Sequence, residues 1–599
     1  MTPPNDTPPL LFGDFPPVST EDWRAQIALD LKETPFERLV WHTPEGFDVQ
    51  PFYRAEDRPP TPPLPPVPWQ LRQDFPVGAQ PEARHWMHEA LEQGVETPGL
   101  LLTDDLSPLD DLLGVPAQAL PDRMPWHLVA GPHAEAALDR WVDGAVRRGI
   151  DSAHLQGTLD VRLAELLVRG EVAPLEQATR LCRRAVGGLP HFRPFLLDAA
   201  PWHNAGATLV QCLALLLAAT AEALVWMTGQ GLAAHQAVPL LHLGVPVGPR
   251  YFLEIAHLRA LRKLWPQVVG AFDTSAATLP PFIQATTSWR NLTLADPYVN
   301  LLRGTTEAAA ALLGGCDTLT VQPFDGAAGT GDARSLRLAR NIPLLLRHEG
   351  VFDAVADPGA GSYYLEALTD TLAREAWGLF QQIEAEGGLA AAWAAGTVPA
   401  MIAQARAAEE QRLALRRQVL VGTNHYPNPE DEPLPAPAPA PAAEGLLPST
   451  RLAVPFEALR QRTQAHAAAT GHTPAVLLLP FGPPALRNAR ATFARNFFGC
   501  AGFTLHEAVP VTSVAQALDA LDVQPADLLV LCSADEAYRP FAEALLPFLK
   551  ARPHPPFVII AGDPVADREA LQASGVDGFV HLRSPLLETL TTWQARLLG

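Results

Sequence analysis

The sequence predicts an α/β protein: a (β/α)8 TIM barrel preceded by an N-terminal arm, then a C-terminal doubly wound parallel sheet. Three observations predict it. From about residue 69 to 420, short apolar runs alternate with longer helical stretches, the rhythm of repeated βα units. A Pro/Ala-rich acidic stretch, NPEDEPLPAPAPAPAAEG (428–445), then interrupts that rhythm. Five further strand–helix pairs follow within residues 474–599. The chain, at 599 residues, is long enough for two or more large cores.

Residues 1–60 read as the arm. FPPVSTEDWRAQIALDLKETPFERLVW contains one short helix, with Ser19 or Thr20 as N-cap, acids in its first turn, and Trp23, Ile27, Leu29 and Leu31 as apolar positions. The following PPTPPLPPVP (59–68) is extended, because proline lacks the N–H that helices and inner strands need. An arm outside the core of its domain suits a subunit contact; a disordered tail is the alternative.

Residues 61–427 read as the barrel. Its strand candidates are GLLLT (99–103), HLVAG (127–131), PFLLDAA (194–200), PLLHLGVP (239–246), FIQATTS (282–288) and TLTVQPF (318–324). Helices are predicted over 207–229, 251–268, 297–313 and 334–349. The long apolar run around Leu209–Met227 includes Gln211 and Glu222, which marks a buried helix rather than a membrane span. Barrel sites lie at strand C-terminal ends, which here carry Asp198, Trp202, His203, Asn204, Thr286, Thr287, Ser288 and Asp325. His203 with Asn204 suits a ligand or a structural histidine bonded to backbone. Ser288-Trp289-Arg290 suits an anion or, more blandly, an arginine paired with a neighbouring acid. AVADPGAGSYYLE (354–366) is Gly-rich without a lysine and fits a tight loop before a helix.

Residues 428–473 read as a semi-rigid linker. Beyond it, strands are predicted at 475–480, 503–509, 527–532, 557–562 and 578–582, with helices near 485–499, 512–521, 536–550, 565–573 and 585–597. Five βα units in this short span match a flavodoxin-like open sheet, whose ligands usually sit in the turn after the first strand. That turn holds Phe481, Gly482, Pro483 and Pro484, and the helix beyond adds only Arg487, Asn488 and Arg490 as polar groups. The turn has no second glycine, Lys-Ser/Thr pair, acid or histidine.

Composition narrows the function classes. A formal charge of −21 argues against a phosphate-tracking surface, so no nucleic-acid partner is expected. The N-terminal residues lack the basic and apolar regions of a signal peptide. Five scattered cysteines (Cys182, Cys212, Cys316, Cys500, Cys532) with no CxxC suit reduced thiols and offer no metal site. A cytoplasmic location and no membrane partner are the expectation. GxGxxG, P-loop, HExxH and GxSxG patterns are absent. Residue chemistry alone stops at a cytosolic α/β protein derived from an enzyme.

Longer segments carry a resemblance. RLARNIPLLLRHEGVFDAVADPGAGSYYLEALTDTLAREAWGLFQQIEAEGG (337–388), TSWRNLTLADPYVNLLRGTTEAAAALLGGCDTLTVQPFD (287–325) and VGTNHYPNP (421–429) resemble the barrel of the methylmalonyl-CoA mutase family. FPPVSTEDWRAQIALDLKETPFERLVWHTPEGFDVQPFY and DAAPWHNAGATLVQCLALLLA (198–218) resemble the small, or beta, subunit of its heterodimeric bacterial form. The resemblance implies isomerisation of methylmalonyl-CoA to succinyl-CoA with adenosylcobalamin, a barrel around the CoA ester, and a C-terminal domain of cobalamin-binding type.

Residue by residue, however, the family's chemistry is missing. Active relatives carry D-x-H-x-x-G after the first C-terminal strand, where the His coordinates cobalt and the Asp orients it. Alignment back from Gly502-Phe503 puts Ala485, Arg487 and Arg490 at the Asp, His and Gly, and no histidine lies between His472 and His506. A guanidinium has no lone pair to offer a metal. The family's S-x-L reads Ser533-Ala534-Asp535, and its Gly-Gly reads Ala561-Gly562. In the barrel, W-x-I-R-Q-Y reads Trp69-Gln70-Leu71-Arg72-Gln73-Asp74, so an aspartate stands where the tyrosine shields the radical. The His twelve residues before Asp-Pro-Tyr is replaced: counting back from Asp296 gives Gln284, which donates a hydrogen bond but is no acid.

The resemblance therefore implies no catalytic, cofactor-binding or metal residue on this chain. It implies a degenerate 474–599 domain, adenosylcobalamin on a large (alpha) partner subunit, and a supporting role for this chain in the heterodimer. An independently active or CoA-ester-binding homologue, and a mutase-associated chaperone-like protein, are the alternatives.

Overall fold

The computed structural model describes residues 18–57, 68–80, 82–115, 117–329, 331–439 and 447–599. The chain before Val18, most of the PPTPPLPPVP stretch and part of the Pro/Ala-rich stretch lie outside the described residues. The arm helix forms at Thr20–Leu31, where Ser19 is the cap and accepts from the Asp22 backbone N–H at 3.1 Å. None of its side chains is buried, and Trp23 meets the edge of Phe52.

Eight parallel strands close the barrel: β1 (Gln70–Phe75), β2 (Thr97–Leu101), β3 (Trp126–Val129), β4 (Gln156–Arg162), β5 (His191–Asp198), β6 (Leu241–Val247), β7 (Ile283–Thr287) and β8 (Thr318–Thr320). Each strand pairs with the next, and β8 pairs back with β1. The apolar runs locate six of these strands. QLRQDF and QGTLDVR, which form β1 and β4, escape that signal because their inward residues are polar. The sequence pattern also passes over helices Ala83–Glu92, Ala134–Arg147, Val172–Gly188 and Thr397–Ala414.

Helix Leu209–Gly229 is apolar and long enough to cross a membrane by composition alone, yet 78% of its 18-residue apolar window is buried inside the fold. It packs against helices Leu163–Arg169, Tyr251–Phe272 and Tyr363–Ala385. A capping box of Thr208 and Gln211 starts it. The Gly-rich loop is tied down by buried Arg259, which pairs with Asp357 and with Glu366, the latter at 3.0 Å. Ser362 then caps helix Tyr363–Ala385, so this loop leads into a helix as expected.

The C-terminal region is a five-stranded parallel sheet: β9 (Ala475–Pro480), β10 (Thr504–Glu507), β11 (Leu528–Cys532), β12 (Phe557–Ala561) and β13 (Gly578–Val580), in the order β10-β9-β11-β12-β13. Its inner strands β9, β11 and β12 read as unbroken apolar runs because both faces are covered. Val476 and Leu478 enter one core with Phe497 and Phe498, while Leu477 and Leu479 enter the other with Tyr538 and Leu545.

The stretch read as linker is not all linker. Residues Val454–Thr470 form a helix that packs on helix Leu586–Leu598, with Phe456 and Leu459 in the C-terminal core. Its polar, alanine-rich face hides the helical period from a hydrophobicity reading.

Candidate functional site

The barrel axis is crossed by a chain of side chains that links strands β1, β7, β4 and β3, of which only β4 and β3 are neighbours in the sheet. Arg72 on β1 grips Asp74 with Nε–Oδ1 at 2.7 Å and Nη2–Oδ2 at 2.9 Å, and donates through Nη1 to Gln284 Oε1 on β7 at 2.8 Å. Gln284 Nε2 donates to Thr158 Oγ1 on β4 at 3.2 Å. Thr158 is hydrogen-bonded in turn to His127 Nδ1 on β3. Strands β4 and β7 are separated by two others, so this contact runs through the interior. Gly99 on β2 makes room for it, since a Cβ there would fall on Asp74 Oδ1.

Beside this chain lie Asp160 on β4 and His242 on β6. Asp160 Oδ1 stands 3.1 Å from His127 Nε2 and 3.5 Å from His242 Nε2. Burial pushes the Asp160 carboxyl upward, but the two imidazoles and Arg72 outweigh it and hold it well below the ordinary carboxylate range. Burial pushes His242 down to about 4, so its ring is neutral. Asp160 also lines a cavity of about 480 Å³ at the C-terminal ends of β2, β3 and β4, bordered by Leu102, Val129, Arg162, Glu165 and Arg169. That is the barrel face where chemistry normally resides.

The strand-end residues picked from the sequence do collect on this face, but they serve the fold. His203 Nε2 meets Ser288 Oγ at 2.7 Å, and burial pushes its pKa down to about 4. Its partner is a side chain, where the sequence suggested backbone. Asn204 O accepts from Thr450 N at 2.9 Å. Arg290 takes the bland role: Nη2 binds Glu409 Oε2 at 2.8 Å and Nη1 donates to Thr450 O at 2.7 Å. Thr287 Oγ1 accepts from Gln322 N at 2.8 Å, Asp198 accepts from Ala200 N at 2.8 Å, and Trp202 is buried. Thr286 continues the β7 ladder to β8. Burial raises the half-buried Asp325 carboxyl.

The crevice of the C-terminal sheet is closed by its own groups. Phe481 stacks on Phe541 at 4.1 Å between centroids, and Ser533 Oγ donates to Phe481 O at 2.7 Å. A Cβ on Gly482 would stand 2.6 Å from that hydroxyl. Tyr538 accepts from Ser533 N at 2.9 Å and donates to Ala561 O at 2.7 Å, filling the space beside Gly562. Arg487 Nη1 folds back onto Gly482 O at 3.0 Å, and Arg490 pairs with Asp535 at 3.1 Å.

Sequence reasoning missed His127, Asp160 and His242. They sit on three strands with no common spacing; the only signal was a histidine inside each of two apolar strand runs.

Comparison with known proteins agrees with this architecture. The family model described as methylmalonyl-CoA mutase matches residues 105–468. The chain is 35% identical over 614 aligned positions to the methylmalonyl-CoA mutase small subunit of Porphyromonas gingivalis, covering 97% of each chain. It is 32% identical to the protein of the same name from Streptomyces virginiae, covering 96% of this chain and 97% of that one. The small subunit from Propionibacterium freudenreichii subsp. shermanii is 30% identical, over 97% and 95% of the two chains.

Proposed function

The chain belongs to the methylmalonyl-CoA mutase family, in its small-subunit branch, and on that premise we propose that it is the non-catalytic member of a heterodimer. In this reading a large subunit carries adenosylcobalamin and isomerises methylmalonyl-CoA to succinyl-CoA in the cytoplasm, and this chain supports its assembly and stability. One observation carries the reading: the barrel axis, where the resemblance places a CoA ester, is spanned by the Arg72–Gln284–Thr158 chain.

The open sheet supports the same conclusion. Its strand order, with the second strand outside the first and the third to fifth following on the other side, is the doubly wound order expected of a flavodoxin-like sheet. The residues present do not fit the cofactor. The position of the cobalt-ligating imidazole holds Arg487, already bonded to Gly482 O, and the aromatic stack of Phe481 on Phe541 fills the groove that a nucleotide tail needs. In this reading both domains keep their scaffolds while residues at the aligned ligand positions bond to other parts of the chain. What remains is surface, and the arm helix adds to it: Trp23 and Leu29 are exposed. An obligate interface of this type buries roughly 2,000 Å² or more.

The test is co-expression with a large subunit of the family, followed by size exclusion with light scattering and cofactor titration of each chain. A lasting equimolar complex, with corrin absorbance only on the large subunit, is expected. Turnover of methylmalonyl-CoA by this chain alone, or stoichiometric corrin binding to it, overturns the reading.

A further inference from the structure

We infer that the barrel interior binds a divalent transition-metal ion between His127, Asp160 and His242. These residues come from β3, β4 and β6, and one ligand atom from each lies within 4.8 Å of the others. Both imidazoles are fully shielded from solvent. Nε2 of His127, both ring nitrogens of His242 and Asp160 Oδ1 have no aligned hydrogen-bond partner. A buried polar group left unmatched loses its hydration without compensation. An ion that accepts one lone pair from each ring and one from the carboxylate removes much of that cost.

The distances already suit it. Metal–nitrogen and metal–oxygen bonds of about 2.0–2.2 Å in a tetrahedral site place neighbouring ligand atoms about 3.3–3.5 Å apart. The two nitrogen-to-oxygen separations here are 3.1 and 3.5 Å, close to those edge lengths. They stand as edges of a coordination polyhedron.

The surroundings supply the remaining requirements. His127 Nδ1 is held by Thr158, itself held by Gln284 and Arg72, which fixes the ring and leaves Nε2 facing Asp160. Such outer partners orient metal-binding histidines. The cavity of about 480 Å³ bordered by Asp160 gives an entry path and room for a water at a fourth position. Two imidazoles with one carboxylate suit Zn²⁺, Co²⁺ or Fe²⁺ better than Mg²⁺ or Ca²⁺, which favour all-oxygen sites. The bound ion would tie three strands together across the axis. This departs from the expectation that the chain holds no metal ligand, and it stands independently of the proposed subunit role.

The test uses the full-length chain, stripped with chelator and titrated with Co²⁺ and then Zn²⁺. Expected are about one ion per chain, visible d–d bands of a nitrogen- and oxygen-ligated Co²⁺, their loss on adding Zn²⁺, and a rise in melting temperature. H242Q and D160N should each weaken binding roughly 100-fold or more, T158V by about 10–100-fold, and exposed-site H235Q not at all. Circular dichroism checks that each variant is folded. Absence of Co²⁺ bands and of stoichiometric binding in the parent chain overturns the inference whether or not the variants fold. So does binding that survives both H242Q and D160N unchanged.

Discussion

Phe481 lies flat against Phe541, ring centroids 4.1 Å apart and planes 19° apart, at the point where the first strand of the open sheet turns into its helix. Tyr538 meets the same ring edge-on at 6.0 Å. Because Phe481 is buried and well packed, F481A should cost about 3–5 kcal/mol in urea denaturation. It should also leave the chain unable to bind a corrin, since removing the ring supplies no imidazole. A loss below about 1 kcal/mol would show that the stack does not seal the crevice.

Gly99 and Asp74 form a coupled pair in the barrel. A Cβ on Gly99 displaces the carboxylate that grips Arg72, and a buried guanidinium left unpaired costs on the order of 3–5 kcal/mol. G99A should therefore be strongly destabilising alone, yet add less than about 1 kcal/mol in a D74S background. Additive effects in the denaturation cycle would refute the coupling.

Arg290 joins barrel to linker. It binds Glu409, donates to Thr450 O, and its own carbonyl accepts from Leu452 N at 3.0 Å. R290M should cost about 1–3 kcal/mol, because the Glu409 carboxylate loses its shortest partner and keeps only Arg250 at 3.5 Å and Gln418 at 3.3 Å. It should also speed limited proteolysis within residues 428–450 more than it speeds global unfolding. Unchanged cleavage there would remove Arg290 from this role.

Glu307 makes stability pH-dependent. Burial lifts its carboxyl to about 8, with Glu254 adding to the rise, against donation from Asn291 at 2.8 Å and Ser288 N at 3.1 Å and the opposing charge of Arg303. A raised folded-state pKa favours the protonated, folded form. Its contribution is complete below about pH 4.5 and is lost as pH climbs through about 8. The stability of the parent chain relative to E307Q should fall by roughly 3–6 kcal/mol between about pH 5 and pH 9. A pH-independent difference would show that Glu307 stays ionised in the fold.

Much of the fold was legible because period and burial coincide. The open sheet reads correctly from AVLLLP and DLLVLC, since both faces of those strands are covered. Strands β1 and β4 were illegible for the opposite reason: QLRQDF and QGTLDVR turn Arg72, Asp74, Thr158 and Asp160 inward, and an interior lined with polar groups breaks the apolar signal. The helix at Val454–Thr470 was hidden in a stretch whose composition reads as spacer.

The sequence alone determined the alternation of elements, the acidic surface, and the departures from the family's pattern at Asp74, Gln284 and Arg487, all local facts of residue identity. Only the tertiary structure decided what those positions bond to. Inside a closed barrel, side chains meet across strands far apart in the chain. Arg72 finds Gln284, and His127 and His242 converge on Asp160, through strand tilt and register that no spacing along the chain encodes.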